Sequence, residues 1–220
     1  MRFKSFIKES LSIEVEKFMK KAQLIDKDCR RYLSDIDYNL KKNRLLRGIY
    51  EEFGYFIKKK VRKNRRPLDT PLAWQKAIDE VFKKHKIPLR SQSIFTVKDF
   101  GQATPYGPVY LIFPIGNYRI SYNSRYTDLQ DNLLSNLTFS AHLEKKGEKE
   151  EFKKLIEKKV VPYQHVVSAK DAITKAKKTA EIMIECDSYY GVSMTDDLKY
   201  MIRNIINKKN WNNFLLNAKK

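Results

Sequence analysis

The segment Val109-Tyr110-Leu111-Ile112-Phe113 constrains this chain more than any other. It is an unbroken apolar run, short and bounded, with proline and glycine close behind it. A run of that length reads as a strand buried on both faces, which requires layers packed on either side of it. After the turn Pro114-Ile115-Gly116-Asn117, Tyr118, Ile120 and Tyr122 alternate with polar neighbours as a second strand, and the two together read as a hairpin.

Helices must supply the remaining layers. Phe6, Leu11, Ile13, Val15, Phe18, Met19 and Ala22 recur at helical intervals between Ser5 and Arg31. A second helical pattern runs from Asp37 to Lys60 through Leu40, Leu45, Leu46, Ile49, Phe53 and Phe56. Gly48 and Gly54 weaken its middle, and a strand or turn around Leu45–Ile49 is the alternative there. Asp69-Thr70-Pro71 reads as a helix start, with Trp74, Ala77, Ile78, Val81 and Phe82 on the apolar face and Pro88 beyond its end. Extended sequence follows from Leu89 to Val97, then a short segment from Asp99 to Tyr106. The heavily charged stretch Leu143–Lys159 reads as a solvated helix. Ser168 with Asp171 forms a capping pattern for a helix to about Thr179, a strand covers Glu181–Cys186, and Thr195 caps a last amphipathic helix carrying Leu198, Met201, Ile202 and Ile205. The class expected is α+β. Residues 1–40 form a helical N-terminal segment and 41–220 a domain, the whole being one compact unit.

Charge is the extreme quantity. The formal net charge is +19 over 220 residues, and basic chains of this size usually meet phosphate. The excess is concentrated. Lys58, Lys59, Lys60, Arg62, Lys63, Arg65 and Arg66 fill most of one short run, and Lys170, Lys175, Lys177 and Lys178 precede Glu181. Lys59, Arg62, Arg65 and Arg66 are therefore candidates to bind nucleic acid. Cys29 and Cys186 are isolated, and His85, His142 and His165 show no metal-like spacing, so no metal is expected. No apolar run reaches membrane-spanning length and the basic N-terminus carries no signal core, so a cytoplasmic location without membrane contact is expected.

Three separated pieces carry chemistry. They are Leu46-Arg47-Gly48, then Arg90-Ser91-Gln92-Ser93-Ile94-Phe95-Thr96 with Ala103 and Tyr106-Gly107 after it, and Glu181-Ile182-Met183-Ile184. On a strand Glu181, Met183 and Glu185 share one face while Ile182, Ile184 and Cys186 share the other, so Glu181 is expected on an open face whose back is core.

In that order the pieces resemble the Arg…Ser/Thr…Glu signature of mono-ADP-ribosyltransferases, and the stretch from Arg65 to Ser124 resembles phage-encoded members, for which the host cytoplasm would be the setting. The resemblance spans about Arg47 to Tyr190. It implies a split β-sheet core with a helical N-terminal segment and a C-terminal helix, and it implies NAD as donor substrate, with ADP-ribose passed to an acceptor. It implies that Arg47 binds NAD and that either Ser91/Ser93 or Thr96 orders the cleft and bonds the catalytic glutamate, Glu181. Tyr110, Tyr118 and Tyr122 are candidates to stack on nicotinamide. Members that modify arginine carry an acid two residues before the catalytic glutamate. Thr179 stands there in this chain, which turns the expectation toward a nucleic acid, or a protein bound to one, as acceptor. A non-enzymatic basic protein that binds nucleic acid is the alternative.

Overall fold

The computed structural model describes residues 13–50, 54–65, 70–123, 139, 141–160, 163–165, 168–178 and 180–218. Helix α1 (Ile13–Asp28) buries Val15, Phe18, Met19, Ala22 and Ile25, the face its periodicity marks, and α2 (Arg30–Asp35) continues it past a break at Cys29. The helical expectation for 37–60 is not met, and the strand alternative is. Asp37 and Tyr38 take positive φ (52° and 57°), which ends helical winding. Leu46–Gly48 then forms β1 and Phe56–Lys60 forms β2.

Helix α3 (Leu72–Lys84) starts behind Pro71, and its chain reverses at Lys86 with φ 56°. A single 3-10 turn, Arg90–Gln92, leads into β3 (Ser93–Thr96). The one-turn helix α4 (Phe100–Ala103) separates it from β4 (Val109–Pro114) and β5 (Tyr118–Asn123). Next come α5 (Glu148–Val160), β6 (Tyr163–His165) and α6 (Ala169–Lys175), the last capped as expected, with Ser168 Oγ accepting from the Asp171 amide. Strands β7 (Ile182–Cys186) and β8 (Ser188–Ser193) precede α7 (Asp196–Asn204), which Thr195 caps. A further helix, α8 (Lys208–Asn217), capped by Asn207, goes beyond the sequence reading.

The described strands form two four-stranded antiparallel sheets, ordered β1-β4-β8-β2 and β3-β7-β5-β6. The fold is α+β, as expected. The expected β4–β5 hairpin is absent, because β4 pairs with β1 and β8 whereas β5 pairs with β7 and β6. The turn does not fold back but carries the chain from one sheet to the other. Ile115 donates to the Ser188 carbonyl, and Gly116, at φ 67°, donates to that of Asp28. The step from β7 to β8 is a second such crossing, through Asp187 alone.

Two apolar clusters result. The larger joins α1, α2, α7 and α8 to both sheets, with Leu111, Ile112 and Phe113 fully buried, so the N-terminal helices share the core of the sheets. The smaller packs Trp74, Ile78, Val81 and Phe82 of α3 against Phe152 and Ile156 of α5 and against Met183. Helix α5 is therefore not simply solvated, since Phe152 and Ile156 are wholly buried. Met183 is 1% exposed, so the middle of the β7 face expected to be open is covered by these helices. Burial of a side chain that size contributes roughly 1.5–3 kcal/mol, more than an open face would keep.

Candidate active site

The site lies where the two sheets are stitched together. Leu46 and Val97 exchange both backbone hydrogen bonds, each 2.8 Å, so β1 meets the end of β3 at a single bridge. Gly48 permits this seating. A Cβ there would stand 2.1 Å from the Ala103 carbonyl oxygen and collide with Tyr106. A second stitch follows β2, whose continuation bonds through Val61 to the Asp187 carbonyl and through Arg65 to the Ser91 carbonyl.

These crossings gather charge around Phe95. Arg47 donates from Nη1 to the Phe95 carbonyl at 2.7 Å. The guanidinium carbons of Arg65 and Arg90 stand 4.3 and 4.7 Å from the centre of the Phe95 ring, within the range where a ring quadrupole attracts a cation. Register sets the carboxylate beside them. Phe95 faces Met183 and Thr96 faces Ile182 across β3 and β7, so Glu181, just before β7, lies at the Thr96 end. Its Oε2 is 3.9 Å from Arg90 Nη1, an ion pair too long for a hydrogen bond, with side-chain exposures of 27% and 9%.

The electrostatics are unbalanced. Burial lowers the pKa of Arg47 from the usual guanidinium range, with Tyr189 and Glu181 opposing that shift. Burial, then Arg47 and Arg90, push Arg65 down to about 10 against the pull of Glu181. Three guanidiniums thus crowd around one carboxylate. The crevice bounded by Arg65, Arg90, Gln75 and Phe95 has a volume of about 20 Å³, room for about one water molecule.

Of the residues singled out from the sequence, Arg47, Thr96 and Glu181 come together. Thr96 does so differently from expectation. Its hydroxyl donates to the Ile182 carbonyl at 2.9 Å, and its single proton is thereby used, so it steadies the strand behind Glu181 instead of donating to the carboxylate. Ser93 lies opposite Glu185 and donates to the Leu89 carbonyl at 2.7 Å. Ser91 is fixed through its backbone, which holds Arg65. Tyr110 faces Arg47 in register, but it is fully buried and its hydroxyl is bonded to the Gly54 carbonyl. Tyr118 lies apart, its hydroxyl on Asp35 and its ring against Tyr32 and Arg31, and Tyr122 is a core residue. Neither Tyr110 nor Tyr118 presents a free ring face to this crevice.

The basic run divides. Arg65 belongs to the crevice, whereas Lys58, Lys60, Arg62 and Lys63 are exposed, and Lys59 alternates toward the other side of β2 from Lys58 and Lys60. Arg66 and Thr179 lie outside the described residues. Of the lysines before Glu181, Lys170, Lys175 and Lys178 pair with Asp37, Asp171 and Asp99. Among the described residues no group of three metal-ligating side chains forms and no helix is long and apolar enough to cross a membrane.

Sequence reasoning missed Arg90 and Phe95 as site residues, although both stand inside the quoted segment. The 3-10 turn that throws Arg90 back over Phe95 has no sequence signature of its own. No family model, curated protein or solved structure matches the chain.

Proposed function

We propose that the protein is an NAD-dependent ADP-ribosyltransferase whose acceptor is a nucleic acid or a protein bound to one. The observation that carries the reading is that Arg47 and Glu181, distant in sequence, lie within electrostatic reach of each other on either side of β3, with Thr96 between their strands. In the reaction the bond from the ribose anomeric carbon to the nicotinamide nitrogen breaks. Nicotinamide leaves with the bonding pair, and the ribose carries positive charge until an acceptor lone pair closes on it. Glu181 is the carboxylate that offsets this charge. It is partly exposed, held on a buried strand and already oriented, so its stabilisation costs no reorganisation at the moment of reaction. Arg47, rigid through its bond to Phe95, holds the phosphate side of NAD.

The crevice in its present form is smaller than a dinucleotide, so NAD enters only as Arg65 and Arg90 lift from the Phe95 ring. The acceptor class rests on the exposed edge of β2. Lys58, Lys60 and Arg62 line it, and Lys17 and Lys21 of α1 stand over the rings of Tyr55 and Phe56 beside it. Cations interleaved with aromatic rings suit a phosphate backbone and its bases.

Nicotinamide release from NAD is the decisive assay. Purified protein should release it, and Glu181→Gln should lower the rate by roughly two to three orders of magnitude with the fold intact. Release that is absent, or equal in the two proteins, removes the transferase reading and leaves the basic edge as a nucleic-acid-binding surface.

A further inference from the structure

We infer that Arg90, with Arg65, forms a diphosphate clamp that holds Glu181 until a diphosphate-bearing ligand displaces it. The inference rests on the transferase reading for its role, but the clamp is defined by its own geometry. Arg90 is nine-tenths buried, lines the crevice, and its Nη1 has no hydrogen-bond partner. A buried guanidinium N–H without a partner is costly, and the carboxylate 3.9 Å away does not satisfy it. A phosphate oxygen would.

Charge points to the same ligand class. Arg47, Arg65 and Arg90 exceed Glu181 by two positive charges within one small space, and mutual repulsion contributes to the lowered pKa of Arg65. A diphosphate supplies the missing negative charge, and planar guanidiniums meet its oxygens in pairs. Phe95 gives Arg65 and Arg90 a resting place in the meantime. When Arg90 turns to a phosphate, its pull on Glu181 is relieved and more of the carboxylate's charge acts at the ribose. Binding the phosphates and readying the carboxylate are then one event.

Inorganic pyrophosphate is the probe, with affinity measured by calorimetry at low salt and NAD cleavage assayed in parallel. Arg90→Gln and Arg65→Gln should each weaken pyrophosphate binding at least tenfold, and Arg90→Lys should recover part of the loss. Glu181→Gln should tighten pyrophosphate binding severalfold, because the competing carboxylate is gone, while it lowers NAD cleavage roughly 100- to 1000-fold. Orthophosphate should bind more weakly than pyrophosphate. With a chain this basic, general charge needs a control, so Lys208→Gln with Lys209→Gln on α8, both exposed, should leave pyrophosphate affinity within twofold. Affinity that falls as far in that control, or that is unmoved by Arg90→Gln and Arg65→Gln, overturns the clamp. Affinity unchanged or weakened in Glu181→Gln overturns the exchange. Pyrophosphate binding that behaves as expected in a protein that never cleaves NAD keeps the clamp and discards the transferase. NAD cleavage lost in Glu181→Gln but indifferent to Arg90→Gln does the reverse.

Discussion

The two ends of the β7 face carry the same residue in opposite circumstances. At one end Glu185 faces Arg119 across the β5–β7 ladder, one carboxylate to one guanidinium, 2.9 Å apart. Arg119 also donates to the Lys86 carbonyl, and the pair borders a wide crevice of about 620 Å³ with Lys83 and Gln92. At the other end Glu181 has a longer-range partner in Arg90 and shares the field of Arg47 and Arg65. The first arrangement is a direct cross-strand ion pair. The second sets one carboxylate in the field of three guanidiniums, at longer range. Volume alone does not separate the two ends, since Lys83 and Lys86 also border the wider crevice. What differs is how directly each carboxylate meets its guanidinium.

The largest test of this contrast is catalytic. Glu181→Gln should lower nicotinamide release roughly 100- to 1000-fold, whereas Glu185→Gln should change it by less than about threefold. Equal losses in rate assays of the two variants would erase the difference between the ends. Between them, Met183→Ala should cost about 2–5 kcal/mol in urea unfolding, the penalty for a cavity in a closed core. A loss below about 1 kcal/mol would show that the middle of the face is open after all. Gly48→Ala should cost about 1–3 kcal/mol through overpacking of β1 on Ala103 and should weaken NAD binding, since Arg47 moves with the strand. Stability lost without any change in NAD affinity would separate Arg47 from the site. Arg119→Gln should cost less than about 1 kcal/mol, because the guanidinium is 44% exposed and screened, and should leave NAD cleavage alone. The smallest effect belongs to the edge of β2. Neutralising Lys60 and Arg62 should flatten the salt dependence of duplex DNA binding by about 0.9 in log–log slope for each phosphate that the variant no longer neutralises, and an unchanged slope would move the acceptor surface elsewhere.

Legibility follows the range of the forces. The α1 face, the Ser168 and Thr195 caps and the strands β4, β5 and β7 can be read because periodicity and capping are local properties. The 37–60 segment misleads because Leu40, Leu45 and Leu46 suit either a helix or a buried strand, and pairing with β4 decides between them. The expected hairpin misleads for a related reason. Pro114 to Asn117 looks the same whether the chain turns back or crosses between sheets, and Ser188 and Asp28, which receive its hydrogen bonds, are far away in sequence. Within the site, Arg47 and Glu181 are legible through a pattern of order. Arg90 is not, because its importance comes from lying buried beside Phe95 and Glu181, and no spacing encodes that.

By itself the sequence determined which segments must be buried, where most helices begin and that an excess of positive charge must be carried. These follow from hydrophobic period, side-chain capping and composition, each acting over a few residues. Only the tertiary structure decided that two sheet crossings would bring Arg47, Arg65 and Arg90 to one residue, Phe95, and near one carboxylate. It also decided that Glu185, identical in chemistry and four residues on, would instead be neutralised across the sheet. The physical reason is that a charge is defined by its surroundings, and strands paired from distant parts of the chain supply those surroundings.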